Sequence, residues 1–450
     1  MRRIFSIASA ALLAVAGWQA WLDAQSAAPA NRFPDFGVDN APVPTPDSQL
    51  FRLSQNYPTT LPPASRKPAF MKTDFRTQPH EYLMQARDYC FEGNTPNWIV
   101  QNNKVRPWYH MPWQHWGLSG REGLHGLTKE APVPVRALAQ TQTFAEGQNY
   151  AIAFYNEFAG YAIGTVFRDA MNPSLDEFNR MGGFPEGSVT CKPLFVDIPL
   201  NQVPYLNPPL EWNAFITKGY SGYQRQTQPV YLIQLDIAVK DSRAGATKWI
   251  MGTLIYNGKM GQQDHWRNLV PVGLMWGNDP AVTGDSYTNP QPVETRINKD
   301  LKETIINTAQ QNGVAELPPT HLGWNGRLDG PADNVNAACL SCHMTAEYPQ
   351  YSPMNPTFMS TPTPITKGGT QWMRWFQNLP GNQPFDTGAK STDYNLQLSG
   401  ALQNFHKWKD GQDGFSVAPA PSSGAKPQAV AGGAAPAPTP ARAVFPIRRQ

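Results

Sequence analysis

Val230-Tyr231-Leu232-Ile233-Gln234-Leu235-Asp236-Ile237-Ala238-Val239 is the stretch that decides the fold class. Tyr231, Ile233, Leu235, Ile237 and Val239 fall on one face of an extended strand, and Leu232, Gln234, Asp236 and Ala238 on the other. An apolar face backed by a mixed one is the signature of a sheet strand with a core on one side. Similar runs lie at residues 149–155, 188–195 and 249–256, separated by turns rich in Gly, Pro and Asn. Helical spacing is best near residues 371–378 and 393–408, where Leu396, Leu398, Leu402 and Phe405 form one stripe. A further helix is expected over 299–310. Strands first and helices late predict an α+β fold, an antiparallel β-sheet core with helices gathered towards the end.

Outside this core the composition changes. The chain has 450 residues, 40% hydrophobic and 16% charged, with 44 Pro and 36 Gly, which favours short strands and long ordered loops. Its formal charge of +3 includes Arg2 and Arg3, so no basic patch points to nucleic acid. Residues 1–28 follow an export pattern: Arg2 and Arg3, an apolar run from Ile4 to Ala16, then small residues around Ala24 to Ala28. Cleavage there predicts a periplasmic protein; an uncleaved anchor is the alternative, since Trp18 and Trp21 lengthen the apolar run. Residues 29–65 read as a Pro-rich extended arm and 66–148 as an N-terminal segment packed on the core. Residues 413–450, mostly Ala, Pro, Gly and Ser, are expected to be disordered.

Within the late helical part stands Cys339-Leu340-Ser341-Cys342-His343, a C-x-x-C-H motif. Two thiols on one helical turn can add to the two vinyl groups of a haem, and the adjacent His can take the iron. A disulfide redox pair wants a thioredoxin-like context, and a zinc site wants a second Cys/His pair; the sequence offers neither. One motif predicts one covalent haem c, with Cys339 and Cys342 as attachment points and His343 as metal ligand. Cys90 and Cys191 remain, either as a disulfide tying the N-terminal part to the sheet or as two buried thiols.

The sixth iron ligand separates electron carriage from ligand chemistry. Met344, Met354, Met359 and Met373 all follow the motif, and Met354, flanked by Pro353 and Pro356, is the best placed by sequence. The segment Trp108 to Trp116, with His110 and His115, and His125 beyond, reads as a pocket entrance, a distal His source or plain aromatic packing.

Read in order, Phe184 to Lys192, Leu235 to Arg243, Trp249 to Tyr256 and then C-x-x-C-H resemble the cytochrome P-460 family and the related cytochrome c′-beta. The likeness spans roughly residues 149–356, within a domain over 149–412, and is broken by an insertion over 257–335. It implies an antiparallel sheet with the haem motif on a late helix. It further implies an open distal site for binding or oxidising a small nitrogenous molecule such as hydroxylamine or nitric oxide. Lys192 takes the place of the family's haem cross-linking lysine, and Asp236 that of the distal carboxylate that accepts a proton. Pro193, beside Lys192, cannot donate in a ladder and suggests an edge strand or bulge. The strand pattern independently puts Asp236 beside Leu232 on a half-apolar wall, where its pKa would rise. The alternative function is a periplasmic electron-transfer cytochrome with a Met or His sixth ligand and a redox partner protein.

Overall fold

The computed structural model describes residues 51, 56–94, 98, 100–114, 121–139, 141–217, 225–284, 291–298, 322–359 and 365–410. The export segment, most of the Pro-rich arm, the helix expected over 299–310, His115 and the C-terminal tail lie outside them.

The strands are β1 (Thr128–Pro132), β2 (Gln148–Ala151), β3 (Phe154–Tyr155), β4 (Val189–Val196), β5 (Glu211–Thr217) and β6 (Arg225–Lys240). Then come β7 (Trp249–Tyr256), β8 (Leu269–Met275) and β9 (Thr295–Ile297). They form a nine-stranded antiparallel sheet ordered β1-β2-β4-β6-β7-β8-β9, with β3 against β4 and β5 against β6. The chain is thus α+β with an antiparallel sheet at its centre. The strand expected at 249–256 has those bounds, and that at 230–239 is the end of a longer one. β8 and β9, within residues 257–335, widen the same sheet at its β7 side.

Alternation sorts the side chains onto two cores. Ile233, Leu235, Ile237 and Val239 of β6, with Ile250, Leu254 and Tyr256 of β7, enter one core. There α1 (Pro79–Phe91) lies on the sheet, burying Tyr82, Leu83, Ala86, Cys90 and Phe91 at helical spacing. Gly252 permits the contact: a Cβ there would stand 2.2 Å from Leu83 Cδ2. Cys90 and Cys191 are bonded, S–S 2.06 Å, and tie α1 to β4.

Met251 and Ile255 of β7 and Val272 and Met275 of β8 point the other way, into a second core. Against that face pack α2 (Glu157–Val166), α3 (Asp176–Arg180), α4 (Cys339–His343), α5 (Thr370–Met373) and α6 (Leu396–Lys409). A two-residue ladder of β10 (Glu347–Tyr348) and β11 (Lys390–Ser391) clips α4 to the chain entering α6. Among the described residues no helix is long and apolar enough to cross a membrane.

Two expectations need correction. Leu232 does not share the face of Asp236. Leu194 pairs with Gln234 and Phe195 with Leu232, so Ile233 is skipped in the register; this bulge reverses the alternation and sends Leu232 into the α1 core. Of the edge strand or bulge expected at Pro193, a bulge does lie beside it, where the β4–β6 register shifts between Leu194 and Phe195, whereas the edge is not found, since β4 lies between β2 and β6. Its proline is tolerated because the ladder opens beside it: β2 pairs with β4 up to Ala151–Leu194 and β3 resumes at Phe154–Cys191. The missing N–H of Pro193 falls in that gap.

Candidate functional site

The C-x-x-C-H residues make a single helical turn. Ser341 Oγ accepts the Ala338 N–H at 2.8 Å, satisfying one of the donors that a helix start leaves over. Cys342 N donates to Ala338 O and Met344 N to Leu340 O. Leu340 is buried, whereas Cys339, Cys342 and His343 are each half-buried. The turn therefore roots itself through Leu340 and leaves both thiols and the imidazole on its other side.

The segment before it is held by a buried cation. Arg327, 0% exposed, donates to the carbonyls of Asn278, Asp279, Val282 and Trp324 at 2.7–3.1 Å. Its guanidinium also lies over Trp324 and Phe376. Residues 327 onward are thereby fixed to the chain leaving β8, and Leu328 O receives the Cys339 N–H at 3.1 Å.

His343 is oriented from the opposite side. Its Nδ1 lies 2.7 Å from Tyr394 O, so Nδ1 carries the proton and donates, and Nε2 keeps a lone pair. Burial, against the help of that carbonyl, lowers the imidazole pKa to about 4, so the ring is neutral at physiological pH. A neutral imidazole fixed through Nδ1 is the form that ligates a metal through Nε2.

The carbonyl itself is positioned by an unusual turn. Asp393 and Tyr394 both have positive φ, 52° and 64°, a left-handed conformation costly for side-chain-bearing residues. Asp393 is held there by Lys240 Nζ at 2.6 and 2.7 Å, Trp249 Nε1 at 2.9 Å and the Phe184 N–H at 2.7 Å. These groups come from the ends of β6 and β7 and from the loop before β4. The sheet thus dictates the orientation of His343 through one buried ion pair.

Across from the turn, β4, β6 and β7 present Lys192, Asp236 and Thr253, which are partners in register and so share one face. Thr253 Oγ1 donates to Asp236 Oδ1 at 2.9 Å and lies 4.0 Å from Cys339 Sγ. Lys192 Nζ stands 3.3 Å from Glu130 Oε1 of β1. The sequence-derived residues Lys192, Asp236, Cys339, Cys342 and His343 therefore gather at one place, although they come from three separate parts of the chain.

Two further carboxylates join them that the sequence reading passed over. Gln234 Nε2 donates to both oxygens of Asp236 at 2.9 and 3.0 Å and to Asp333 Oδ2 at 2.9 Å. Asp329 is buried beside them, and its Oδ2 has no hydrogen-bond partner among the described residues. Burial and the charge of Asp333, against the pull of Lys192, raise the Asp236 pKa to about 7. Burial, then Asp333, raises that of Asp329 well above the usual carboxylate range. Burial and the surrounding carboxylates likewise push both thiols up. A dithiol redox centre works through a lowered thiol pKa, and this site does the reverse.

The remaining candidates fall elsewhere. His110 is buried between Phe51 and Phe154, and His125 stacks on Trp212; both are aromatic packing, not part of this group. Trp266 and Trp276, in the insertion, pack in the α1 core. Met344 Sδ is 3.8 Å from Asn278 Nδ2, and Met344 and Met373 are buried in the second core. Met359 packs against that core, and Met354 is half-buried in the adjoining loop. Among the described residues no three His, Cys, Asp or Glu side chains are grouped so as to hold a metal ion by themselves. The donor set, two half-buried cysteines one turn apart and one imidazole engaged through Nδ1 with Nε2 left over, fits a group that supplies its other metal ligands itself.

No family model, no curated protein and no solved structure matches this chain. What the site does must be argued from its own residues.

Proposed function

We propose that the chain is an exported monohaem c-type cytochrome with an open distal position for a small nitrogenous ligand or substrate. The observation that carries this is the single turn Cys339–His343, with both cysteines half-buried on one side of it and His343 Nδ1 fixed on Tyr394 O. Cys339 and Cys342 would hold the haem as thioethers, and His343 Nε2 would take the iron. When bound, haem supplies an iron that exchanges one electron and offers a coordination position whose occupant decides its chemistry.

The chain's own residues then have defined tasks. Tyr394 O fixes the tautomer and keeps the imidazole correctly turned, while burial keeps it neutral. Asp236, beside Cys339 through Thr253, holds or releases a proton near neutral pH, as the distal carboxylate does in the cytochrome P-460 family that the motifs resemble. Lys192 is its register partner, and by the resemblance of the motifs it would take the place of that family's cross-linking lysine. The Cys90–Cys191 disulfide supports an oxidising compartment, in keeping with export to the periplasm.

A second reading, an electron-transfer cytochrome serving a redox partner protein, draws on Met354. Its loop is anchored where Trp375 Nε1 donates to Pro353 O at 2.9 Å, so the methionine has a steady base. Optical and EPR spectra of purified ferric and ferrous protein separate the two. The first reading expects high-spin ferrous haem that takes up nitric oxide or carbon monoxide. A low-spin, six-coordinate ferrous spectrum with a methionine charge-transfer band in the ferric form overturns it. A red-shifted Soret band that survives Lys192→Ala excludes the cross-link.

A further inference from the structure

Three charged groups, Asp333, Asp329 and Lys192, interact with Asp236, and their arrangement has a direction. Asp333 is exposed, Asp236 is half-buried, and Asp329 is 4% exposed. Gln234, itself 0% exposed, spans the first two with one amide nitrogen, so their oxygens sit on either side of a single donor. Gly330 N–H fixes Asp333 Oδ2 at 3.0 Å, and a Cβ on Gly330 would overlap the Gln234 amide at 2.3 Å, so the loop needs glycine to come this close. Asp329 Oδ2, buried and without a hydrogen-bond partner among the described residues, lies in the same electrostatic neighbourhood, since its charge acts on Cys339 and Cys342 and those of Asp333 and Asp236 act on it. A buried carboxylate oxygen without a donor is costly, and a bound proton removes most of that cost.

We propose that Asp333, Asp236 and Asp329 form a proton-exchange set, open to solvent at Asp333 and held by Gln234, that takes up a proton when the protein gains an electron. This rests on the haem reading above. The balance is simple. The electron would come from an external one-electron donor and reside on the haem that Cys339, Cys342 and His343 would hold. One proton comes from solvent water through Asp333 and bonds to a carboxylate oxygen of Asp236 or Asp329. No covalent bond of the protein breaks, and the net charge of the site is unchanged. The proton would be favoured because a haem held on Cys339, which Thr253 links to Asp236, would add its negative charge near these carboxylates.

The charged and titratable groups facing the set are Glu130 from β1, Lys192 from β4, the thiols of α4 when no haem is attached, and His343. Lys192 is the single cation among them and is already engaged by Glu130, so it offsets one carboxylate and leaves the others in excess. Gln234 is a positioning residue: it touches two members of the set and keeps them at a common spacing.

The test uses the full-length, haem-loaded protein and its midpoint potential measured against pH by optical titration at an electrode. The potential is expected to fall as pH rises through the neutral range, and to lose most of that dependence in Asp236→Asn. Asp333→Asn, which removes the neighbouring charge, should move the dependence to lower pH. A second readout needs no turnover and no electrode. The infrared band of a protonated carboxyl is expected at neutral pH and should weaken in Asp329→Asn and in Asp236→Asn. A haem-loaded protein whose potential is flat with pH, or whose slope is untouched by both Asp236→Asn and Asp333→Asn, overturns the coupling alone. A protein that carries no haem overturns the coupling together with the reading beneath it, and its haemochrome spectrum shows this directly.

Discussion

The two faces of the sheet are made from the same strands and serve opposite ends. On the α1 face the alternating residues are Ile, Leu and Val, aromatic rings interlock, and a disulfide fixes the helix to β4. Trp98, Trp266 and Trp212 pack there with Phe91 and Phe195. On the α4 face the same strands put out Lys192, Gln234, Asp236, Lys240 and Thr253. Buried ionic and polar groups are poor sources of stability, because desolvation offsets their attraction, but they impose position. The α1 face therefore carries the fold, and the α4 face gives up some of that stability to hold one imidazole and a few carboxylates in fixed positions.

The strongest way to separate the faces is to cut the disulfide. Cys90 and Cys191 close a loop with a sequence separation of 101, for which chain entropy alone gives about 4.7 kcal/mol. The double variant Cys90→Ala, Cys191→Ala should lower the unfolding free energy, read from denaturant titration, by an amount of that order while leaving the spectrum of the proposed haem unchanged in the folded protein. A spectrum altered in the folded variant would show that the faces are not independent.

Asp393→Ala probes the other face. It strands Lys240, 4% exposed, without its counter-ion, a change that costs about 3–5 kcal/mol when a buried pair is broken. Unlike the disulfide variant it should also disturb the spectrum of the haem proposed on His343, because the Tyr394 turn that holds His343 loses its anchor. Loss of stability without spectral change would separate the ion pair from the site.

A smaller effect is written in pH. The Asp236 carboxyl rises from 3.8 to about 7 on folding, so between those values the folded chain binds more protons than the unfolded one. Stability should accordingly fall as pH rises through that window and level off above it, by up to about 2 kcal/mol once solvent screening is allowed for. Asp236→Asn should flatten that part of the stability–pH curve, read by urea unfolding at each pH. The least effect is expected for Lys192→Ala: its pair with Glu130 is partly exposed and contributes at most about 1 kcal/mol.

How much of this was visible in the sequence depends on the range of the interaction. The alternation of β6 and the apolar run of β7 are local, and both strands are where their side chains put them. The bulge at Ile233 was hidden, because a register shift is a property of two strands and Leu232 looks apolar on either face. The helix of residues 79–91 was missed since its buried stripe includes Arg87 and Cys90, which read as polar or neutral. Around the site, C-x-x-C-H was legible because its chemistry is set by spacing alone. Asp329 and Asp333 were not, lying in a Gly/Asp/Asn-rich run that looks like any turn. The Tyr394 carbonyl left no sequence signal at all. Two successive left-handed residues at Asp393-Tyr394 could be suspected only from the tertiary groups that hold them.

The central claim is that Cys339 and Cys342 carry haem covalently, with His343 on the iron. The most direct test is the intact mass of the purified protein, produced in cells with a c-type maturation system, together with its pyridine haemochrome spectrum. The account predicts a mass greater by one haem that survives denaturation, a c-type haemochrome, and loss of both in the variant with Cys339 and Cys342 replaced by Ala. A mass equal to that of the polypeptide alone, with both thiols open to alkylation in the unfolded protein, would contradict it.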